Sequence, residues 1–111
     1  MTKAEALERF KERVVALIAA IPEGRVTTYG LIARQLHTGP RQVARVLVML
    51  TPAESAALPW FRVVAANGVI SSTKAGTVGR RQRKRLRDEG VAVTSHFKVE
   101  DFATLVWTPI S

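Results

Sequence analysis

A chain of 111 residues, 47% hydrophobic and 23% charged, has the length and ordinary composition of one small globular domain and leaves no room for a second. It contains no cysteine, which excludes disulfides, thiolate metal sites and any sulfur nucleophile. Seventeen basic against nine acidic side chains give a formal charge of +8, and the excess is concentrated: residues 38–87 hold ten basic groups and one acidic group, residues 88–111 one and four. A field gathered on one segment is the footprint of a polyphosphate partner, against the plainer alternative of a solvated basic face.

Thr2 followed by Glu5 is a capping-box signature, and Leu7, Phe10, Val14, Leu17 and Ile21 recur at helical spacing, predicting a first helix to about Ala20. Its apolar run, Val14 to Ile21, is broken by Pro22 and falls far short of the roughly 20 residues of a membrane span. No signal-peptide pattern precedes it, so a cytoplasmic location without a membrane partner is expected. Pro22-Glu23-Gly24 turns the chain, Val26 suits a short extended piece, and Thr28 is placed to cap a second helix through about Leu36. After a tight break at His37-Thr38-Gly39, Pro40 suits the first position of a third helix. There Val43, Val46, Leu47 and Leu50 form an apolar stripe, while Arg41 and Arg45 share another face. Two short helices joined by a glycine-containing turn read as a helix-turn-helix.

Thr51 to Pro59, with two prolines and small residues, reads as a loop. A β-hairpin is predicted next: Phe61 to Ala65 is β-prone, Asn67-Gly68 is a strong turn signal, and Val69-Ile70-Ser71 supplies the return strand. Ser72 to Gly79 reads as an exposed loop. Arg80 to Glu89 reads as a helix stopped by Gly90, with six of its first eight residues basic. Val91 to Val93 is expected to be extended, and Val99, Phe102, Leu105 and Trp107 to fold back on the core. The whole is expected to be one α/β domain over residues 1–111, mainly helical and winged-helix-like, with a helix-turn-helix and a small β-hairpin. Without coiled-coil heptads or an added dimer domain, a monomer is expected.

The start of the second helix of a helix-turn-helix meets DNA, and Arg41 and Arg45 fit that position, although surface arginine pairs four apart occur on many helices. Arg80, Arg81, Arg83, Lys84, Arg85 and Arg87 surround their helix, so only two or three can approach phosphates. His37 and His96 lack the spacing of a Ser-His-Asp triad or a metal site, and no glycine-rich phosphate loop joins a strand to a helix. Neither a metal nor a cofactor is expected.

Pro59-Trp60-Phe61-Arg62-Val63-Val64 is the most informative run. With Val26-Thr27-Thr28-Tyr29-Gly30-Leu31-Ile32-Ala33 before it and Ala44-Arg45-Val46 between, the order resembles the DNA-binding domain of O6-alkylguanine-DNA alkyltransferases. That family carries Pro-Cys-His-Arg-Val where this chain has Pro59-Trp60-Phe61-Arg62-Val63. Trp60 stands at the alkyl-accepting cysteine and Phe61 at the histidine of its proton relay; of that relay only Glu89, in Asp88-Glu89-Gly90-Val91, is matched. The similarity spans about Phe10 to Gly90, and the closing Trp107-Thr108-Pro109 adds to it. The chain thus resembles alkyltransferase-like proteins, non-enzymatic relatives in which tryptophan or alanine replaces the cysteine. Alkyl transfer needs a soft activated nucleophile, and a chain without thiol has none, so no enzymatic activity is expected.

The resemblance implies a protein that binds double-stranded DNA containing O6-alkylguanine, flips the modified nucleotide out and marks it for nucleotide excision repair proteins, at the nucleoid when bound. Flipping costs a few kcal/mol of stacking and pairing. By resemblance, Arg45 fills the vacated gap, Tyr29 presses on the neighbouring phosphate, and the third helix lies in the minor groove. The expected DNA-binding residues are Thr28, Tyr29, Arg41, Arg45, Arg62, Ser71 and Lys74; those expected to line the lesion pocket are Tyr29, Pro59, Trp60, Val63, Ser71 and Thr73. For Trp60 the plainer alternative is a core tryptophan. Some relatives carry a lesion-probing arginine near Thr73, where Lys74 is the adjacent cation. A helix-turn-helix transcriptional regulator and an active DNA alkyltransferase are the rival readings.

Overall fold

The computed structural model describes residues 1–70 and 75–110. Helix α1 (Lys3–Ala20) opens on the expected capping box: the Thr2 hydroxyl accepts from the Glu5 N–H at 3.1 Å, and the Glu5 carboxylate accepts from the Thr2 N–H at 3.3 Å. A two-residue strand, β1 (Thr27–Thr28), leads into α2 (Tyr29–Gln35), whose first turn is capped by the Thr28 hydroxyl. The break before α3 (Pro40–Met49) is a Schellman motif. The Thr38 N–H reaches the Ala33 carbonyl at 2.9 Å, the His37 N–H reaches that of Arg34 at 3.3 Å, and His37 takes a left-handed φ of 56°. Pro40 occupies the start of α3, where its missing N–H is harmless.

The segment expected as a loop after α3 instead forms a short helix, α4 (Pro52–Ala57). Its two prolines misled the composition reading, because Pro52 sits in the first turn and Pro59 falls beyond the end, both positions that helices tolerate. A second capping box starts it: Thr51 Oγ1 accepts from the Glu54 N–H at 3.1 Å and Glu54 Oε1 from the Thr51 N–H at 2.8 Å. Lys11 of α1 holds Glu54 at 3.0 Å and ties α4 to the body.

The predicted hairpin is only a turn. Asn67 (φ 63°) and Gly68 (φ 82°) adopt the left-handed conformations of a type I′ turn, and the Ala65 N–H reaches the Val69 carbonyl at 2.8 Å. The flanking segments then diverge. β2 (Val63–Val64) pairs in parallel with β1, Thr27 opposite Val63 and Thr28 opposite Val64, whereas Val69 bridges Lys98. The Val63 N–H is turned to the Trp60 carbonyl and the Val63 carbonyl to the Gln82 side chain, so neither group is left for a return strand. The Ser71 end of the expected return strand, and the Ser72 to Lys74 part of the expected loop, lie outside the described residues. Ala75–Gly79 forms a π-helical turn into α5 (Arg80–Asp88). Gly90 (φ 86°) closes α5 in another Schellman motif, with the Val91 N–H on the Leu86 carbonyl at 3.0 Å.

β2 divides two cores. Val63 joins Val14, Ile18, Ile21, Ile32, Ala33, Val43 and Val46 of the helix-turn-helix half; Val64 faces Val26, Phe61, Ile70, Leu86, Val91, Val93 and Val99 of the other. Successive side chains of a strand point to opposite faces, so one dipeptide serves both. The tail folds back as expected. Val106 bridges Val26, Trp107 packs on the first core, and Arg25 donates to the carbonyls of Leu105 (2.8 Å) and Val106 (2.7 Å) at the end of α6 (Phe102–Leu105).

The Schellman geometry at His37 yields a stability prediction. A left-handed non-glycine residue is strained, so His37→Gly should stabilise the fold by about 1 kcal/mol. Thermal unfolding should show a Tm rise of roughly 4–8 °C; an unchanged or lower Tm would contradict the strain.

Candidate nucleic-acid interface

α3 presents two unlike faces because its apolar residues recur at helical spacing. Val43 and Val46 are buried, while Arg41 and Arg45, one turn apart, are exposed together. Val48, three residues beyond Arg45, shares that face and is 77% exposed, which is unusual for a large apolar side chain. It stands at the mouth of a cleft of about 340 Å³ lined by Leu47, Val48, Leu50, Ser55, Trp60, Val78 and Arg81. A second cleft shares Leu50, Ser55, Trp60 and Arg81 and extends between α4 and Arg85. Trp60 is half-buried and belongs to both walls, so it is neither a surface residue nor a pure core residue.

Trp60 opens a 3-10 turn, Trp60–Arg62, whose position is set by its neighbours. Phe61 is buried at 3% exposure, meets the Trp60 ring edge to face at 6.0 Å, and lies under the Arg85 guanidinium at 4.4 Å. Gln82, buried on α5, donates from Nε2 to the carbonyls of Phe61 (3.1 Å) and Val63 (2.8 Å). Phe61 is therefore a packing residue sealed by an arginine.

The Arg62 guanidinium is paired within the fold. Its Nε donates to both Glu89 oxygens at 3.0 and 3.1 Å, its Nη2 pairs with the same carboxylate, and its Nη1 donates to the Ile21 carbonyl at 2.8 Å. The two side chains are 13% and 11% exposed. Glu89 also accepts from the Gly24 N–H at 3.1 Å. The expectation that Arg62 binds DNA is corrected by this pairing, which consumes the guanidinium inside the fold. Glu89 is likewise spent on structure. Burial works to raise its carboxyl, but the Arg62 hydrogen bonds, the Gly24 N–H and the charges of Arg62 and Arg85 outweigh it and hold the pKa below the ordinary 4.5.

Two further expected site residues are taken up internally. The Thr28 hydroxyl accepts from the Leu31 N–H at 3.0 Å as the α2 cap, and Thr28 is buried, so it positions the helix instead of offering itself at the surface. Val63 is fully buried in the first core, with its N–H on the Trp60 carbonyl and its own carbonyl held by Gln82, and it is not among the residues of the two clefts beside Trp60. Tyr29 is half-buried at the first position of α2 and packs against the first core; Pro59 is half-buried just before Trp60. Of the expected pocket residues that are described, the clefts contain Trp60. Ser71, Thr73 and Lys74 lie outside the described residues. Leu47, Val48, Leu50, Ser55, Val78 and Arg81 were not foreseen; the one signal for them was an apolar Val48 on the arginine face of α3. Arg80, Arg83, Lys84 and Arg87 gather on another side of α5, so the basic helix presents two separate faces.

The half-buried tryptophan beside an arginine-bearing helix-turn-helix lies in a chain whose residues 9–91 match the family model described as 6-O-methylguanine DNA methyltransferase, DNA binding domain; the chain belongs to that family. Within it, the chain is 43% identical over 100 residues to a DNA base-flipping protein of Escherichia coli, covering 88% of this chain and 74% of that protein. It is 35% identical over 89 residues to alkyltransferase-like protein 1 of Schizosaccharomyces pombe, covering 78% and 81%. The structure of S. pombe Atl1 in complex with damaged DNA containing O6-carboxymethylguanine matches with a TM-score of 0.77 at 33% identity, over 92% of this chain and 97% of that one. The Mycobacterium tuberculosis O6-methylguanine methyltransferase matches at a TM-score of 0.55 and 27% identity, over 72% of this chain and 47% of the enzyme.

The Arg62–Glu89 pair makes stability depend on pH. The carboxyl titrates lower in the folded chain than in the unfolded one. Its contribution is therefore complete above the unfolded pKa and lost as pH falls through the folded value. Glu89→Ala should cost on the order of 3 kcal/mol in urea unfolding at neutral pH, since it strands a buried guanidinium. Its stability should also fall less than the parent's on acidification below about pH 5; equal acid sensitivity of the two would refute the pairing.

Proposed function

We propose that this protein binds duplex DNA containing O6-alkylguanine, turns the modified nucleotide out of the stack into the cleft beside Trp60, and leaves the alkyl group in place. The observation that carries this reading is the half-buried Trp60. It forms a cleft wall at the position where the family's reactive cysteine is expected, in a chain with no cysteine at all. An indole offers a flat surface for a base and no nucleophile, so the site can hold a purine but cannot accept its substituent. The names and complexes of the relatives, a base-flipping protein and an alkyltransferase-like protein bound to damaged DNA, support it.

The arginine face of α3 borders the cleft through Val48, which supports a role for it on the duplex from which the base leaves. Resemblance assigns the gap-filling role to Arg45. Arg41, on the first turn, is at the end of a recognition helix that leads into a groove, and shares the face. Arg45 enters the stack and Arg41 holds phosphate. Tyr29, beginning α2, approaches the phosphate beside them. A monomer that marks the lesion without repairing it leaves removal to other proteins, and the family resemblance supports nucleotide excision repair as the route.

Incubation with a duplex carrying O6-methylguanine should leave the protein's mass unchanged and the lesion intact; a stoichiometric mass gain or restored guanine would overturn the non-enzymatic reading. A fluorescent base analogue beside the lesion should brighten on binding. Arg45→Ala should abolish that brightening while weakening plain duplex binding much less, whereas Arg41→Ala should lower affinity for plain and modified duplex alike. Brightening that survives the double variant would remove α3 from the role. Trp60→Ala should weaken lesion preference by on the order of 1–3 kcal/mol with little change on plain DNA. Affinity for plain duplex should also fall steeply with salt, and neutralising Arg81 and Lys84 together should flatten the slope; a slope near zero in the parent protein would point away from DNA.

A further inference from the structure

The cleft beside Trp60 is apolar along Leu47, Val48, Leu50, Trp60 and Val78, with the Ser55 hydroxyl and the Arg81 guanidinium as its polar side chains. Arg81, an exposed residue of α5, borders both adjoining clefts. Its neighbour Arg85, in the second cleft, is held over the Phe61 ring, and its charge bears on Glu89. Arg62 is consumed by Glu89, and Lys84 pairs with Asp88 at 3.0 Å on a different side of the helix. No acidic side chain lines either cleft among the described residues. The nearest carboxylates of α5 and α4 are already committed, Asp88 to Lys84, Glu89 to Arg62 and Glu54 to Lys11. Arg81 is exposed and has no ion-pair partner among the described residues, so its guanidinium is available to an anion held in the cleft, and its planar fork suits a carboxylate.

We propose that Arg81 makes this cleft selective for guanines whose O6 substituent carries a negative charge, such as a carboxyalkyl group, over neutral substituents of the same size. The proposal rests on the reading of the Trp60 cleft as the lesion site and adds the chemical class that the site prefers. The apolar wall and the indole take the base and the methylene, and the guanidinium takes the terminal carboxylate. Methyl adducts enter the same cleft but offer Arg81 no carboxylate. Selection for charge is thus superimposed on general recognition of alkylation.

The test compares one duplex sequence carrying O6-carboxymethylguanine, its neutral isostere O6-carbamoylmethylguanine, O6-methylguanine or plain guanine, at fixed salt, so that every phosphate contact is common. The parent protein should bind the carboxymethyl duplex about fivefold more tightly than the carbamoylmethyl duplex, as for a charge-assisted contact in a half-open cleft. Arg81→Gln should bring that ratio to one while retaining preference for O6-methylguanine over guanine, and Arg81→Lys should keep part of it. Lys84→Gln, which removes the same charge from another side of α5, should lower all affinities alike and preserve the ratio. Equal binding of the two isosteres by the parent protein overturns the proposal, as does an unchanged ratio in a folded Arg81→Gln variant. Loss of all preference for alkylated over plain duplex in the parent would instead overturn the lesion-site reading beneath it.

Discussion

The ion pair between Arg62 and Glu89 is the constraint on which the rest of this small fold depends. One guanidinium and one carboxylate gather four distant points of the chain: the exit of α1 through the Ile21 carbonyl, the following turn through the Gly24 N–H, the 3-10 turn that carries Trp60, and the end of α5. Burying two charges is costly, and it is tolerated here because bidentate geometry and two further backbone partners satisfy both groups. Removing either partner leaves the other charged and buried. The pair therefore fixes where the chain must pass between the two cores. Trp60, two residues before Arg62, inherits its position from that anchor.

The two-core arrangement explains how so short a chain can offer a cleft. β2 serves the first core with Val63 and the second with Val64, so the halves meet along a single dipeptide. Gln82 repeats the link from α5 by holding the carbonyls on either side of Arg62. α4, with no buried residue, spans the outside of this junction and is held by its capping box and by Lys11. The clefts lie where α3, α4 and α5 converge on Trp60, at the seam and not within either core. A domain of this size has little interior to spare, and a seam supplies concavity without hollowing a core.

Charge follows the same division of labour. The sequence shows a central basic segment, but the structure separates its members by task. Arg62 is internal, and Arg85 seals Phe61. Arg41 and Arg45 face outward from α3, Arg81 edges the cleft, and Arg80, Arg83, Lys84 and Arg87 occupy another side of α5. Net charge thus identifies the kind of partner without telling which cations meet it.

The sequence by itself determined α1, α2, α3 and α5 with their caps, because Thr2 with Glu5, Thr28, Pro40 and Gly90 act through hydrogen bonds and φ preferences within a few residues. It also determined the Asn67-Gly68 turn and, through the order of Tyr29, Arg45 and Pro59-Trp60-Phe61-Arg62-Val63, the family. α4 was legible in principle from Thr51-Pro52 and Glu54, but the same prolines also signal a loop. Only the tertiary structure decided that β2 pairs with β1 and not with Val69, that Arg62 and Val63 belong to the interior, and that Leu47, Val48, Ser55, Val78 and Arg81 join Trp60 around a cleft. The partners in each case lie far apart in the chain, as Arg62 does from Glu89. Local pattern records which residues favour a helix, a turn or burial, whereas choice among distant partners is settled by the packing that brings them within reach.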